Sequence, residues 1–362
     1  MSAIYVNAAW SGKNDGDSVT VGGKTYTIGT DAFASVAKAV SAGTDLDGKT
    51  ITFVDDSSVI PAAPFSTAYI TIDSRYTTGN DIDGKTVTFT GNSNVSEVLW
   101  FDLNYKLPEA NAPETVLKFE NAYVYMTKIR PDYNSSVIIS GSTLDYSQGG
   151  QNGNIYAANT GVVTIQNNSK VLSLAQLSAY GEVNVDQSEL HACSANGVKG
   201  SLNVTNGSTF TLSGIAIGDG GSVTIDNSTM VRKAVLTAFD DGNQSVLDWT
   251  ANRELPRYRV NIGAYQGSKL TGTGTMTIKN GATFDFSSAF AAAEYKNVDG
   301  ANTSAAFVTV SDGSKLVIDG RDDAGKNNKV TFNVDQLINL GDVDVSGAAL
   351  LKIGSLDGRM IW

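Results

Sequence analysis

The chain has 362 residues and a formal net charge of −11, and only 17% of its residues are charged. This acidic balance argues against nucleic acid and anionic membrane surfaces as partners. A single cysteine, Cys193, excludes an internal disulfide. No apolar run reaches the roughly 18 residues of a membrane-spanning helix, so we expect no membrane insertion in this segment.

The N-terminal part, residues 1–54, is predicted to be a cap. A turn-rich loop is followed by an amphipathic helix over 31–40. Thr30 or Asp31 can cap the start of this helix, and Gly43 can end it. The buried face of the helix is predicted to contain Phe33, Val36, Ala37 and Val40. A solenoid needs such a cap because its first coil would otherwise leave an open apolar end.

One short phrase recurs in the middle of the chain. Each copy has a glycine, an alternating apolar and polar run, and a polar turn, and the copies begin at Gly161, Gly181, Gly200 and Gly221. Their apolar pairs are Val163/Ile165, Val183/Val185, Leu202/Val204 and Val223/Ile225. A period of two predicts a strand with one buried face. A unit of about 20 residues with no helical period predicts one turn of a parallel β-helix, in which neighbouring turns stack.

The β-helix is predicted to occupy residues 55–362. Two matching phrases, 47–53 and 83–89, leave room for about two short coils between their starting points. Later copies begin at Gly274, Ala306 and Gly341. Other strands are predicted at 4–6, 50–54, 70–72, 98–103, 117–119 and 137–139. The intervals 231–273 and 286–305 are predicted to contain loop excursions, the second with a helical turn at 289–294.

The order of strand, N-D-G loop, D-A-F-A-S-V-A-K-A-V helix and T-I-T-F strand resembles the start of secreted, right-handed parallel β-helix proteins of the pectin-lyase-like type. Phrases such as G-S-V-T-I-D-N-S-T are similar to the passenger regions of autotransporter-type adhesins. The resemblance implies an all-β, right-handed solenoid with a short N-terminal capping helix. It also implies a bacterial cell-surface or extracellular location, with the signal and the anchor outside this chain.

Two groups of residues are candidate ligand-binding positions. Aromatic residues concentrate between 98 and 133, and four of them are selected as a sugar-stacking surface: Trp100, Tyr105, Tyr123 and Tyr125. Core packing, or a patch under a loop, is the alternative for these rings. The second group consists of Arg253, Arg257 and Arg259, which could hold an acidic sugar or a partner carboxylate or could pair with nearby acids as a solvated loop.

The residues that suggest catalysis or metal binding form no complete site. His191 and Cys193 have no orienting third group and too few companions for zinc, which favours packed residues. The N-T-D, G-H-G and R-I-K signatures of polygalacturonase-like relatives are absent, although Lys128-Ile-Arg130 is present. No cofactor is expected. A weak structural Ca²⁺ at 14–17 is the alternative, because N-D-G-D is part of an oxygen-ligand pattern.

The sequence therefore favours a non-catalytic, exported β-helix module for adhesion, with a glycan or a host-cell or cell-surface molecule as its partner. The alternative is a polysaccharide lyase or glycoside hydrolase of the pectin-lyase-like superfamily, which rests on analogy of fold.

Overall fold

A computed structural model describes residues 3–54, 83–93, 98–105, 107–147, 153–232, 259–263, 272–294 and 305–358. These residues form an all-β parallel β-helix with a short helix near the N-terminus. In this part of the chain, no helix is long and apolar enough to cross a membrane.

The cap contains the first strands and the first helix. Its elements are β1 (Ala3–Val6), a 3₁₀ turn (Ala8–Trp10), β2 (Ser18–Val21), β3 (Lys24–Thr27), β4 (Ala32–Phe33) and α1 (Val36–Ser41). Strands β2 and β3 form an antiparallel hairpin. Strand β1 pairs in parallel with β4 and with the first coil strand, so the cap continues directly into the stack.

The capping helix is shorter than predicted. It begins after Ser35, whose side chain accepts a hydrogen bond from Lys38 N, because Asp31 is already used by Thr27 N in the preceding turn. Ala39 rather than Ala37 packs inward beside Val36, whereas Phe33 is buried in β4 and Val40 packs against the core as predicted. The predicted end is confirmed, since Gly43 follows the last turn with a φ of 72°.

The coil strands follow in chain order. They are β5 (Lys49–Val54), β6 (Thr86–Asn92), β7 (Val98–Leu103), β8 (Thr115–Pro131), β9 (Ser135–Ser140), β10 (Thr143–Asp145), β11 (Asn154–Ala157), β12 (Val162–Gln166), β13 (Lys170–Ala179), β14 (Glu182–Asp186), β15 (Glu189–Val198), β16 (Ser201–Thr205), β17 (Thr209–Leu212), β18 (Ile215–Ile217), β19 (Ser222–Asp226), β20 (Thr229–Arg232), β21 (Arg259–Ile262), β22 (Thr275–Lys279), β23 (Thr283–Asp285), β24 (Phe307–Val310), β25 (Lys315–Gly320), β26 (Val330–Asn339), β27 (Asp342–Gly347) and β28 (Ala349–Gly358). A 3₁₀ turn lies at Glu109–Asn111, and α2 (Ser288–Glu294) confirms the predicted helical turn.

Each coil has three faces. The first face contains β5, β6, β9, β12, β14, β16, β19, β22, β25 and β27. The second contains β10, β17, β20 and β23, and the third contains β7, β11, β18, β21 and β24. Strand β8 passes through all three faces. Strands β13, β15, β26 and β28 bend from the second face into the third.

The repeated phrases stack as the sequence predicts. Val163 pairs in register with Val183, which pairs with Leu202, and the column continues through Val223. All eight apolar residues of the four phrases are buried. The core is therefore an aliphatic column along the axis, as the period of two requires.

The two early phrases lie closer together than predicted. Strand β5 pairs directly with β6, with Ile51 beside Phe89, so 47–53 and 83–89 belong to adjacent coils rather than to coils two turns apart. The predicted strand at 70–72 lies outside the described residues.

The polar turn of each phrase contains a buried serine ladder. The backbone N–H groups of Ser142, Ser169, Ser188 and Ser208 each donate to the hydroxyl of the serine in the following coil, at 3.1 Å. The residue before each serine has a positive φ, which asparagine and glycine tolerate best. The recurrent N-S and G-S pairs, with Gln187-Ser188 as the exception in residue type, thus supply both the turn and the partner for a buried N–H group.

The glycine that opens each phrase allows close contact between coils. A Cβ atom on Gly161, Gly181, Gly200 or Gly221 would overlap a backbone carbonyl oxygen of the preceding coil. For Gly200 that oxygen belongs to Gly181, the equivalent residue one coil earlier. Glycine is needed here for space rather than for an unusual φ.

The core contains one tyrosine with an unused hydroxyl. Tyr146 is fully buried, and among the described residues no group makes a hydrogen bond to its hydroxyl. We expect Tyr146→Phe to raise the free energy of unfolding by about 1 kcal/mol, because it removes a desolvated polar group. Tyr123→Phe is the matched control and should lower it by about 1 kcal/mol, because the Tyr123 hydroxyl donates to Asp145.

Urea unfolding with a fixed m-value measures both variants. A loss of stability in Tyr146→Phe would show that its hydroxyl has a partner in solution.

Candidate binding surface

The four predicted aromatic residues divide between two faces. Trp100 lies on β7 and Tyr105 follows it, on the third face, whereas Tyr123 and Tyr125 lie where β8 runs through the second face. The structure therefore brings them together in pairs and not as one surface.

The tyrosine pair on the second face is largely internal. The rings of Tyr123 and Tyr125 make an edge contact with centroids 5.5 Å apart, but Tyr125 is only 2% exposed. The Tyr123 hydroxyl donates to Asp145 at 2.6 Å, and burial together with this hydrogen bond raises the pKa of Tyr123. Tyr125 fits the core-packing alternative, since it offers no ring face to a ligand.

Of the three predicted arginines, the structure describes Arg259 alone, so it does not test whether they form one site. Arg253 and Arg257 lie outside the described residues. Arg259 begins β21 on the third face, beside Phe307, and is exposed. Part of the 231–273 excursion is therefore a coil strand.

The third face contains a different cluster, which begins at Trp100. Its indole N–H donates to Asp102 at 2.7 Å, and Lys128 Nζ lies 2.8 Å from the same carboxylate. The Lys128 ammonium also lies 4.9 Å from the centre of the Trp100 ring. Register explains the contact, because Trp100 pairs with Lys128 across β7 and β8. Asp102 thus orients both an aromatic ring and a cation.

The next part of the cluster holds Arg130 between two tyrosines. Its guanidinium carbon is 4.2 Å from the Tyr105 ring centre and 4.8 Å from the Tyr156 ring centre. Asp132 lies 3.5 Å from one guanidinium nitrogen, and Asn159 and Tyr133 N donate to the other oxygen of that carboxylate. Among the described residues, nothing accepts a hydrogen bond from Arg130 Nε.

The cluster extends along the axis through Tyr180. The Tyr156 and Tyr180 rings meet edge to face at 5.1 Å, and Lys199 Nζ lies 4.8 Å from the Tyr180 ring centre. Lys199 is paired with Asp219 at 2.7 Å, and this hydrogen bond raises the pKa of Lys199. A Cβ atom on Gly197 would touch the Tyr180 ring, so this glycine leaves room for the ring.

We refer to this cluster as the aromatic-cation row. It consists of Trp100, Tyr105, Lys128, Arg130, Tyr156, Tyr180 and Lys199. Its members are partly exposed. Buried Asn104 fixes the turn that carries Tyr105, because it has a φ of 53° and donates to the carbonyls of Pro113 and Tyr133 at 2.7 Å.

The row is chemically suited to binding. Aromatic ring faces stack on sugar C–H groups, and guanidinium and ammonium groups donate hydrogen bonds to anionic or polar oxygens. The acids beside the row already hold these cations and the indole, so they have a positioning role.

The structure describes the surroundings of His191 and Cys193 and of the loop 14–17, which the sequence suggested as an alternative calcium position. His191 contacts Glu189 at 3.3 Å, and Lys170 pairs with the same carboxylate at 3.0 Å and lowers its pKa. Cys193 is buried. In the loop 14–17, Asp17 accepts from Asn14 N. No cluster of three or more potential metal ligands occurs among the described residues.

No protein-family model matches the chain, and no curated protein or solved structure is significantly similar to it. The resemblance to pectin-lyase-like proteins and to autotransporter-type adhesins therefore stays a prediction, whereas the structure itself has the parallel β-helix.

Sequence reasoning selected two members of the row, Trp100 and Tyr105, and missed the others. One usable signal was present: Tyr180 and Lys199 each stand directly before the opening glycine of a repeated phrase. Equivalent positions in successive coils are neighbours in space, so these two residues could have been placed together. Lys128 and Arg130 were noticed only because Lys128-Ile-Arg130 is similar to the R-I-K signature of polygalacturonase-like proteins, and the other signatures of those proteins are absent.

Proposed function

We propose that this protein is a non-catalytic binding module, part of an exported or cell-surface bacterial protein, which takes part in adhesion by binding carbohydrate along the aromatic-cation row. The observation that carries the proposal is a row across five successive coils in which each cation lies against at least one aromatic ring. Such a row offers stacking and hydrogen bonding to an extended polar ligand.

The dimensions of the row support a chain-like ligand. Its members come from β7, β8, β11 and the turns after β13 and β15, which are successive coils. At about 4.8 Å per coil, the row is about 20 Å long. Strands β8, β11, β13 and β15 are each paired on both sides, and β7 is paired with β8. The ligand would therefore meet a surface already fixed in shape, which reduces the entropy lost on binding.

A glycan array with the purified protein is the first test, followed by titration calorimetry with the best oligosaccharide. We expect Tyr156→Ala to weaken binding about tenfold, because it removes a ring that contacts both Arg130 and Tyr180. Tyr26→Ala is the matched control, since Tyr26 is a half-buried tyrosine of the cap and lies outside the row. The control should bind like the wild type.

Absence of any carbohydrate binding, or equal loss in both variants, would contradict the proposal. Unfolding curves for each variant separate lost binding from lost fold.

One observation favours the enzymatic alternative. Two buried carboxylates, Asp102 and Asp132, lie beside Lys128 and Arg130 on neighbouring coils. A lyase or glycosidase needs such a combination at a sugar. Incubation with uronic-acid polysaccharides, followed by the absorbance of unsaturated products and by a reducing-end assay, tests it. Turnover that is lost in Asp102→Asn or Asp132→Asn would replace the binding proposal.

A further inference from the structure

The cap contains a cavity of about 320 Å³, between the loop after the first 3₁₀ turn, the turn after β3, and α1. Three buried side chains line it, from Trp10, Ile28 and Phe33. Trp10 and Ile28 belong to the small core of the cap hairpin, whereas Phe33 belongs to the main core of the stack. The cavity therefore lies where two cores meet, and its volume is in the range of small-molecule sites.

Trp10 supplies an unused hydrogen-bond donor at this cavity. The residue is only 9% exposed, yet its indole N–H donates to no other group in the described part of the chain. The nitrogen is not among the buried polar atoms that are sealed from solvent. Because Trp10 lines the cavity, an acceptor atom placed there would satisfy this donor.

Charged side chains surround the opening of the cavity. Lys13, Asp15 and Lys38 line it and are exposed. Within the described ranges, neither lysine takes part in an ion pair. The Asp15 carboxylate lies against Gly29, where a Cβ atom would be 2.7 Å from one of its oxygens. Two ammonium groups and one carboxylate thus give the opening an excess of one positive charge.

We propose that this cavity binds a small organic carboxylate with a flat apolar body. The apolar body packs on Ile28, Phe33 and the Trp10 ring. The carboxylate accepts the indole N–H and the ammonium groups of Lys13 and Lys38, which long flexible side chains can bring to it. A cation would meet two ammonium groups, and a purely apolar molecule would leave the Trp10 donor without a partner.

Titration with naphthoate, followed in nitrogen–proton correlation spectra, tests the proposal. The chain has four tryptophans, and Trp10→Phe identifies the Trp10 indole signal by its loss. We expect naphthoate to shift this signal, because the N–H gains an acceptor. Naphthamide has the same rings without the charge and should bind about tenfold more weakly.

Lysine substitutions test the charged part of the site. Lys13→Gln and Lys38→Gln should each raise the naphthoate dissociation constant about fivefold, because each removes one ammonium group. Lys24→Gln is the matched control, since Lys24 is an exposed cap lysine at the start of β3 and does not line the cavity. The control should leave the constant unchanged. Circular dichroism verifies that each variant is folded.

A Trp10 signal that naphthoate leaves in place overturns the proposal. Equal affinity for naphthamide also overturns it, because the cavity would then select an apolar body without its carboxylate. So does an equal loss in Lys24→Gln, which would assign the effect to overall charge. None of the lining residues belongs to the aromatic-cation row, so these outcomes are independent of carbohydrate binding.

Discussion

Replacing Ile225 by aspartate is expected to unfold the stack. Ile225 is completely buried on β19, between Val204 of the preceding coil and Ile278 of the following one. The substitution removes aliphatic packing and places a carboxyl group where no polar partner is available in the column. We expect a loss of more than about 4 kcal/mol in the free energy of unfolding. Urea denaturation followed by circular dichroism measures it.

Thr224→Asp is the matched control for this experiment. Thr224 is the preceding residue on the same strand, but it points outward, between Asn203 and Thr277. We expect its free energy of unfolding to stay within about 0.5 kcal/mol of the wild type. Equal damage from both substitutions would mean that β19 does not have one inward and one outward face, and the parallel stack would be wrong.

Gly200→Ala is expected to have the second-largest effect. The added methyl group would overlap the carbonyl oxygens of Gly181 and Tyr180, which belong to the backbone of the preceding coil and cannot turn aside as a side chain could. The coils would have to separate locally, which we expect to lower the free energy of unfolding by about 3 kcal/mol. Thermal and urea unfolding of the purified variant measure the change.

Gly12→Ala provides the comparison, because no atom lies within 4 Å of a Cβ atom at this position in the cap. It should be close to neutral or slightly stabilising, since alanine has less freedom than glycine in the unfolded chain. If both variants unfold like the wild type, the opening glycines are not required for coil spacing.

The inward column was predictable from sequence, and the capping helix only in part. Val223 and Ile225 are two residues apart, and a strand with one buried face has its apolar residues at this spacing. Their burial could therefore be predicted from the sequence alone. The start of α1 was misplaced because Asp31 and Ser35 are both good N-cap residues, and local pattern does not reveal that Asp31 is occupied by Thr27 N.

The binding surface was less predictable, for a different physical reason. Trp100 and Lys128 become neighbours only through the register of β7 on β8, and that register contains an irregularity between Leu99 and Trp100. A single sequence specifies the faces of its strands more strongly than their alignment. The spacing of the two early phrases was misjudged for another reason: an interval of 36 residues was interpreted as two coils, whereas β5 and β6 pair directly and belong to adjacent coils.

The serine ladder makes the length of this molecule adjustable in whole units. Each turn presents a hydroxyl to the coil before it and an N–H group to the coil after it, so every junction has identical ends. Duplicating or excising a complete unit of about 20 residues would regenerate the same junction, with a change of about 4.8 Å in length. A gene that encodes such a protein can therefore grow or shrink by recombination without redesigning its interior.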